Sequence, residues 1–212
     1  MSALVECLFG SRLFRLVCAC ACSASLFACS TSGTNHPSAV EIQDESGFTI
    51  SEKVSVSSGV RDQFNTAMRL LEQEQYDRGI ALLADATEAA PNVTSLHIDL
   101  AIAYGKIGDY EHAEASIKRA LQLNPRHPVA HNELGIIYRK TGRFESARKS
   151  YESALEVYPD FHFARRNLAI LCDLYLGDLG CALENYEAYS EDVTDDEMVA
   201  IWIADLRDRI GE

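Results

Sequence analysis

The sequence predicts an all-α fold: a solenoid of about four helix–turn–helix repeats closed by a C-terminal capping helix. Three observations carry that prediction. Written in lines of 34 residues from Val60, the chain falls into register without gaps over 60–93, 94–127 and 128–161. The same columns of those lines then hold the same kinds of residue. Small residues recur at Ala67, Ala101, Gly135 and Ala169, at Gly79, Ala113, Ala147 and (one place late) Ala182, and at Ala86, Ala120 and Ala154. Tyr76, Tyr110 and Phe144 share a column, as do Leu83, Ile117, Tyr151 and Tyr186, and the lines close on Pro91, Pro125 and Pro159. Within a line the apolar spacing is helical: Leu100, Ala103, Tyr104 and Ile107 run at i, i+3, i+4 and i+7, Gly108-Asp109 interrupts, and Ala113, Ile117, Ala120 and Leu121 resume.

Composition narrows the function classes. The chain has 212 residues, 47% of them apolar, which is enough to bury a core. Its 32 acidic and 19 basic residues leave a formal charge of −13, which repels phosphate backbones and argues against nucleic-acid binding. Beyond the N-terminus no apolar run approaches the roughly 20 residues of a bilayer-spanning helix.

The elements follow in chain order. Arg12 and Arg15 precede an uncharged stretch, Leu16 to Ala28, of signal-peptide length. Leu26-Phe27-Ala28-Cys29 at its end resembles the lipobox of bacterial lipoproteins, which implies a signal peptide over 1–28, acylation of Cys29 and anchorage in a membrane. Ser30 after that cysteine, by analogy with enterobacterial lipoproteins, implies the outer membrane, facing the periplasm. An ordinary cleaved leader and a buried cysteine-rich helix are the competing readings. Ser30 to Asn35 is a small, polar tether. Residues 40–59 alternate in part, with Phe48, Ile50, Val54 and Val56 on one parity, so a short strand or an extended arm is expected, and one strand alone makes no sheet.

Each 34-residue line then reads as a helix, a turn and a second helix. Small residues sit where the helices cross, and the closing proline ends the pair because it lacks an amide hydrogen and biases its predecessor away from helical ψ. A fourth, variant line, 162–193, carries an extra residue near Leu176-Gly177-Asp178 and Tyr189 where the third small residue stands elsewhere, so its second helix is expected at an altered angle. Thr194-Asp195-Asp196-Glu197 has the form of a capping box. It opens a helix over 194–212 with Met198, Ile201, Trp202 and Leu206 on one side, expected to cover the last apolar face with Trp202 turned inward; the competing reading makes Trp202 an exposed partner contact.

The line Leu134-Gly135, Tyr138, Gly142, Phe144, Ala147, Tyr151, Ala154, Pro159 closely resembles the tetratricopeptide repeat, and the resemblance spans about residues 60–190. It departs in the first line, where Thr66 takes the usual leucine column. The family implies a protein or peptide partner held in a concave groove lined by first helices. Carried onto this chain, the groove columns fall on Ile98, Ile102, Gly105 and Lys106, on Val129, Asn132, Ile136, Arg139 and Lys140, and on Phe163, Arg166, Ile170 and Asp173. Arg139, Lys140 and Arg166 would take acidic groups or a free carboxylate of the partner, Asn132 its backbone, and Ile136 and Ile170 a side chain. The ordered Lys and Asn set of chaperone-binding clamps is missing.

Catalytic and metal signals are weak. There is no HExxH, Gly-rich phosphate loop or GxSxG elbow. His97 and His131 share a column and are read as helix–helix packing, and His127, His131 and His162 have no carboxylate or cysteine at ligand spacing, so neither metal nor cofactor is expected. Cys172 and Cys181 flank the Gly177-Asp178 turn, which leaves two readings, a disulfide or a pair of buried thiols. Charge is uneven. Residues 118–166 carry ten basic and five acidic residues, whereas 29–117 carry five and 14, and 167–212 two and 12. The expectation is a non-enzymatic scaffold of the outer membrane that assists assembly of an envelope complex such as a type IV pilus or secretion system, by architectural resemblance to pilot lipoproteins. An adaptor for peptidoglycan hydrolases or envelope proteases is the alternative within that class, and a metal-dependent enzyme the disfavoured one outside it.

Overall fold

The computed structural model describes the backbone of residues 40–43 and 49–52 and the whole of residues 54–211. The leader, Cys29 and the polar tether lie outside the described residues. Two strands, β1 (Val40–Gln43) and β2 (Thr49–Glu52), form an antiparallel ladder that pairs Val40 with Glu52 and Gln43 with Thr49. The single strand or extended arm expected there is therefore a hairpin, each strand finding its partner a few residues away.

Nine helices follow among the described residues: α1 (Ser58–Glu72), α2 (Tyr76–Ala89), α3 (Thr94–Lys106), α4 (Tyr110–Leu123), α5 (Pro128–Lys140), α6 (Phe144–Val157), α7 (His162–Leu171), α8 (Leu179–Asp192) and α9 (Glu197–Ile210). Odd-numbered helices are the first members of each pair, and α3, α5 and α7 start at intervals of 34 residues. None is long and apolar enough to cross a membrane.

The repeating columns are the core. Ala67, Ala113, Ala147, Ala169 and Ala182 are wholly buried, as are Ala86, Ala120 and Ala154. Where α5 crosses α6, a methyl on Gly135 would fall on the Tyr151 ring, and where α1 meets α2 one on Gly79 would fall on Leu71. Absence of a side chain lets the helices close, and Tyr151 fills the space. At the turn within each pair the chain must pass through the left-handed region. Gly108 (φ 79°) and Gly142 (φ 76°) do so without a Cβ penalty, while the first repeat uses Glu74 (φ 58°) in the same column.

Side chains cap the helices where the sequence supplies acceptors. Ser57 accepts from the Val60 amide, Asp109 from His112, Asp178 from Cys181 and His127, through Nδ1, from Ala130. His97 and His131, whose shared column reads as helix–helix packing, also make the same hydrogen bond. Each ring Nε2–H donates to a proline carbonyl six residues back, Pro91 at 3.0 Å and Pro125 at 2.8 Å, and so ties the inter-repeat turn to the next first helix.

The extra residue of the fourth repeat is absorbed in its first helix. After Leu171 the backbone widens into a π-helical turn, Cys172–Leu176, and ends at Gly177 in the left-handed region, whose amide reaches back to the Cys172 carbonyl. Tyr189 occupies the small-residue column, buried, with its hydroxyl donating to Asp196 Oδ2 at 3.0 Å. The capping helix also differs in detail from expectation. Asp196, not Thr194, is the N-cap, accepting from the Val199 amide at 3.2 Å. The inward face is Val199, Ile203 and Leu206, with Trp202 half-buried against Tyr186, while Met198 and Ile201 are 53% and 60% exposed. The stripe through 199, 203 and 206 is the one whose spacing carries it into the preceding pair.

Candidate functional site

The first helices α3, α5 and α7 lie side by side, so residues one repeat apart become neighbours. Between α3 and α5 this leaves a cavity of about 520 Å³, walled by Ala101, Ile102, Gly105 and Lys106 of α3, Tyr110 of α4, and Glu133, Ile136, Ile137 and Lys140 of α5. Its walls are largely aliphatic, with Lys106 and Lys140 in equivalent positions 34 residues apart. Neither lysine has an ion pair or hydrogen bond among the described residues.

Glu133 accepts a hydrogen bond from the Asn132 amide group at 3.2 Å. Burial, reinforced by Asp99 one repeat back, pushes its carboxyl up to about 7 against the opposing pull of Asn132 and Lys106. Asp99 is likewise raised to about 7 by burial. Glu133, in the cavity wall, and Asp99, in the same column one repeat back, are thus both held above the usual carboxylate range by burial.

The six residues assigned to the groove from sequence do not stay together. Ile136 and Lys140 line the cavity. Asn132 is buried beneath it, with Oδ1 taken by Asn167 of α7 at 2.9 Å and its nitrogen by Glu133, so it is a link between repeats rather than a free donor for a peptide backbone. Arg139 donates to the Tyr151 hydroxyl at 3.4 Å and lies over the Tyr175 ring. Arg166 faces Asp196 at 3.6 Å and covers the Trp202 ring, 5.5 Å from its centroid. Ile170 packs into the core of the last two pairs. The two arginines thus have intramolecular partners that sequence spacing alone did not reveal. Lys106, which falls in a groove column of α3, lines the cavity together with Lys140.

The repeats are identifiable from outside the structure as well as inside it. A tetratricopeptide repeat model matches residues 98–160 and, overlapping, 132–189. Residues 98–189 are tetratricopeptide repeats. Solved tetratricopeptide-type structures superpose on the chain. MamA from Desulfovibrio magneticus RS-1 is 17% identical with a TM-score of 0.65, over 74% of this chain and 88% of that one. Pseudomonas aeruginosa pilF is 20% identical with a TM-score of 0.65, over 71% and 68%. The first repeat domain of Spaghetti (RPAP3), solved with the HSP90 peptide SRMEEVD, is 24% identical with a TM-score of 0.53, over 56% and 94%. At these identities the likeness is one of fold. No curated protein matches the sequence.

Two further features border the tetratricopeptide stack. Val54 and Val56 pack with Val60, Phe64, Val93 and Leu96 at its first repeat, around a smaller cavity of about 210 Å³. None of the described residues of the 40–59 arm lines the α3–α5 cavity. At the other end Cys172 and Cys181 form a disulfide with a Cα–Cα distance of 5.9 Å, joining the π-turn to α8. With Asp178 they are the one group of potential metal ligands found among the described residues, and the disulfide engages both sulfurs.

Proposed function

We propose that the chain is a non-enzymatic protein-binding scaffold, anchored through lipid on Cys29 to the periplasmic side of the bacterial outer membrane, where it holds a partner protein during assembly of an envelope complex such as a type IV pilus or secretion system. Tetratricopeptide repeats are protein-interaction scaffolds, and a domain of this fold in Spaghetti carries a bound peptide. The observation that carries the binding half of the reading is the open, largely aliphatic cavity on the first helices, with Lys106 and Lys140 in its wall and neither in a hydrogen bond or ion pair among the described residues. Anchorage is supported by the leader, lipobox and tether read in that order from the sequence.

Crosslinking of the lipidated protein in its native envelope tests both halves. A partner captured by the wild type and lost with Lys140→Glu/Phe163→Glu, two exposed positions on the first helices, supports the groove. A partner retained by that variant moves the binding surface elsewhere. Cys29→Ser is expected to shift the protein from the membrane to the soluble fraction, and an unchanged distribution removes the lipid anchor.

A further inference from the structure

The α3–α5 cavity is built from a duplication that occurs at one junction of the stack. Asp99, Ile102 and Lys106 of α3 recur 34 residues later as Glu133, Ile136 and Lys140 of α5. Elsewhere the columns change: the lysine column holds Glu72 in α1 and Leu174 in the π-turn, and the carboxylate column holds Asn65 in α1 and Asn167 in α7. Two ammonium groups are therefore set side by side at this junction alone among columns in register from α1 to α7. They stand on a chain whose net charge is −13, and neither has a hydrogen bond or ion pair among the described residues, Glu133 acting on Lys106 through charge alone. Paired lysines over an aliphatic cavity complement an anionic group attached to apolar surface. The volume lies in the range of ligand-enclosing pockets, about 300–1,000 Å³, and exceeds what one side chain needs, so the occupant is a stretch of chain.

We propose that this pocket binds an acidic, apolar segment of a partner polypeptide, with an aliphatic side chain between Ile102 and Ile136, an aspartate or glutamate side chain between Lys106 and Lys140, and Glu133 on the floor deciding at which pH the segment enters. The inference rests on the groove-binding reading above and names its ligand.

Glu133 acts by charge. Ionised, it attracts Lys106 and repels an incoming carboxylate; protonated, it leaves both lysines to the ligand. The charged and titratable groups around it are Asp99 and Lys106 from α3, Tyr110 from α4, Tyr151 from α6 and Lys140 on its own helix. Burial holds Tyr151 up at about 12, so it stays neutral through the physiological range. Asp99 and Glu133, both near 7, are left to titrate. If entry requires the Glu133 proton, affinity rises about tenfold from pH 8 to pH 6. The peptide's own aspartates, with pKa near 3.9, stay charged throughout.

The test uses the full chain in detergent and fluorescent octapeptides, the first three amidated. One alternates leucine with aspartate, a second has asparagine for aspartate, and a third has lysine; a fourth is the asparagine peptide with a free C-terminus. The aspartate peptide is expected to bind at pH 6 about tenfold more tightly than at pH 8, and Lys106→Ala/Lys140→Ala to weaken it at least tenfold. Glu133→Gln, an isosteric change, is expected to retain the pH 6 affinity and reduce the pH dependence, Asp99 carrying what is left. Equal binding of the asparagine or lysine peptide overturns the proposal, as does binding of the fourth peptide alone, which would assign the lysines to a terminal carboxylate. Aspartate-peptide binding that survives the double lysine variant overturns this pocket while leaving the groove reading intact. No binding by any of the four, with circular dichroism showing a folded protein, also overturns the pocket, and the crosslinking experiment then judges the groove by itself.

Discussion

Gly135 and Tyr151 set the distance between α5 and α6, and the cost of disturbing them is that of overfilling a close-packed core. Gly135→Ala is expected to destabilise the protein by about 1–3 kcal/mol despite alanine's better helix propensity, read as a lower denaturation midpoint in urea. His127 makes a different kind of prediction. It caps α5 as an acceptor, it is 4% exposed, and burial followed by the neighbouring His131 lowers its pKa to about 4. The unfolded chain takes up that proton near 6.5, so between 6.5 and 4 the unfolded state binds more protons and stability falls as the pH drops. His127→Asn keeps a capping acceptor without a titrating ring and is expected to remove that part of the loss, measured as the difference in urea midpoint between pH 7 and pH 5. The same scale shows how Asn132 is engaged. Its column points to the groove, but Asn167, one repeat and one column on, claims its oxygen.

At the scale of the element, the turn within each pair is decided by one residue in the left-handed region. Glu74 sits there with a side chain that Gly108 and Gly142 lack, so Glu74→Gly is expected to stabilise the first repeat by about 0.5–1 kcal/mol, seen as a higher melting temperature. The fourth repeat spends its extra residue on a π-turn, which swings Tyr175 to within 4.9 Å of Phe144 and places Cys172 opposite Cys181. An insertion is visible in the sequence, but a helix can widen or a loop lengthen to take it up, and the structure shows that the helix widens. Cys172→Ala/Cys181→Ala is expected to cost about 2–3 kcal/mol for a loop of this size, and the peptide pair from native protein should weigh two hydrogens less than its reduced form.

Across the whole molecule, ion pairs join successive repeats, two of them from the basic middle of the chain. Arg143 grips Glu114 through two nitrogens at 3.1 and 2.6 Å while Lys118 takes the same carboxylate, which holds Glu114 down at about 2, the Arg143 hydrogen bond contributing most. Arg148 reaches Asp178, and Arg209 reaches Asp173. In a stack whose repeats touch only their neighbours, damage stays local. Leu206→Ala, at a wholly buried position of α9, is expected to cost about 2–5 kcal/mol in the last repeats, with faster amide exchange in α7–α9 and unchanged exchange in α1–α4.

The sequence by itself determined the fold, because a period of 34 with fixed small, aromatic and proline columns admits one local solution that each neighbour then supports: two helices crossing at a small residue, ended by a proline. It also placed Lys140 and Ile136 on the groove side, since column and face are the same information in a regular helix. Tertiary structure alone decided which groove residues stay available. Whether an arginine is free depends on what other elements bring within reach: Tyr151 of α6 and Tyr175 of the next repeat for Arg139, Asp196 and Trp202 of the capping segment for Arg166. Those partners come from other elements, 12 residues or more along the chain, and the helical spacing of the groove columns does not encode them.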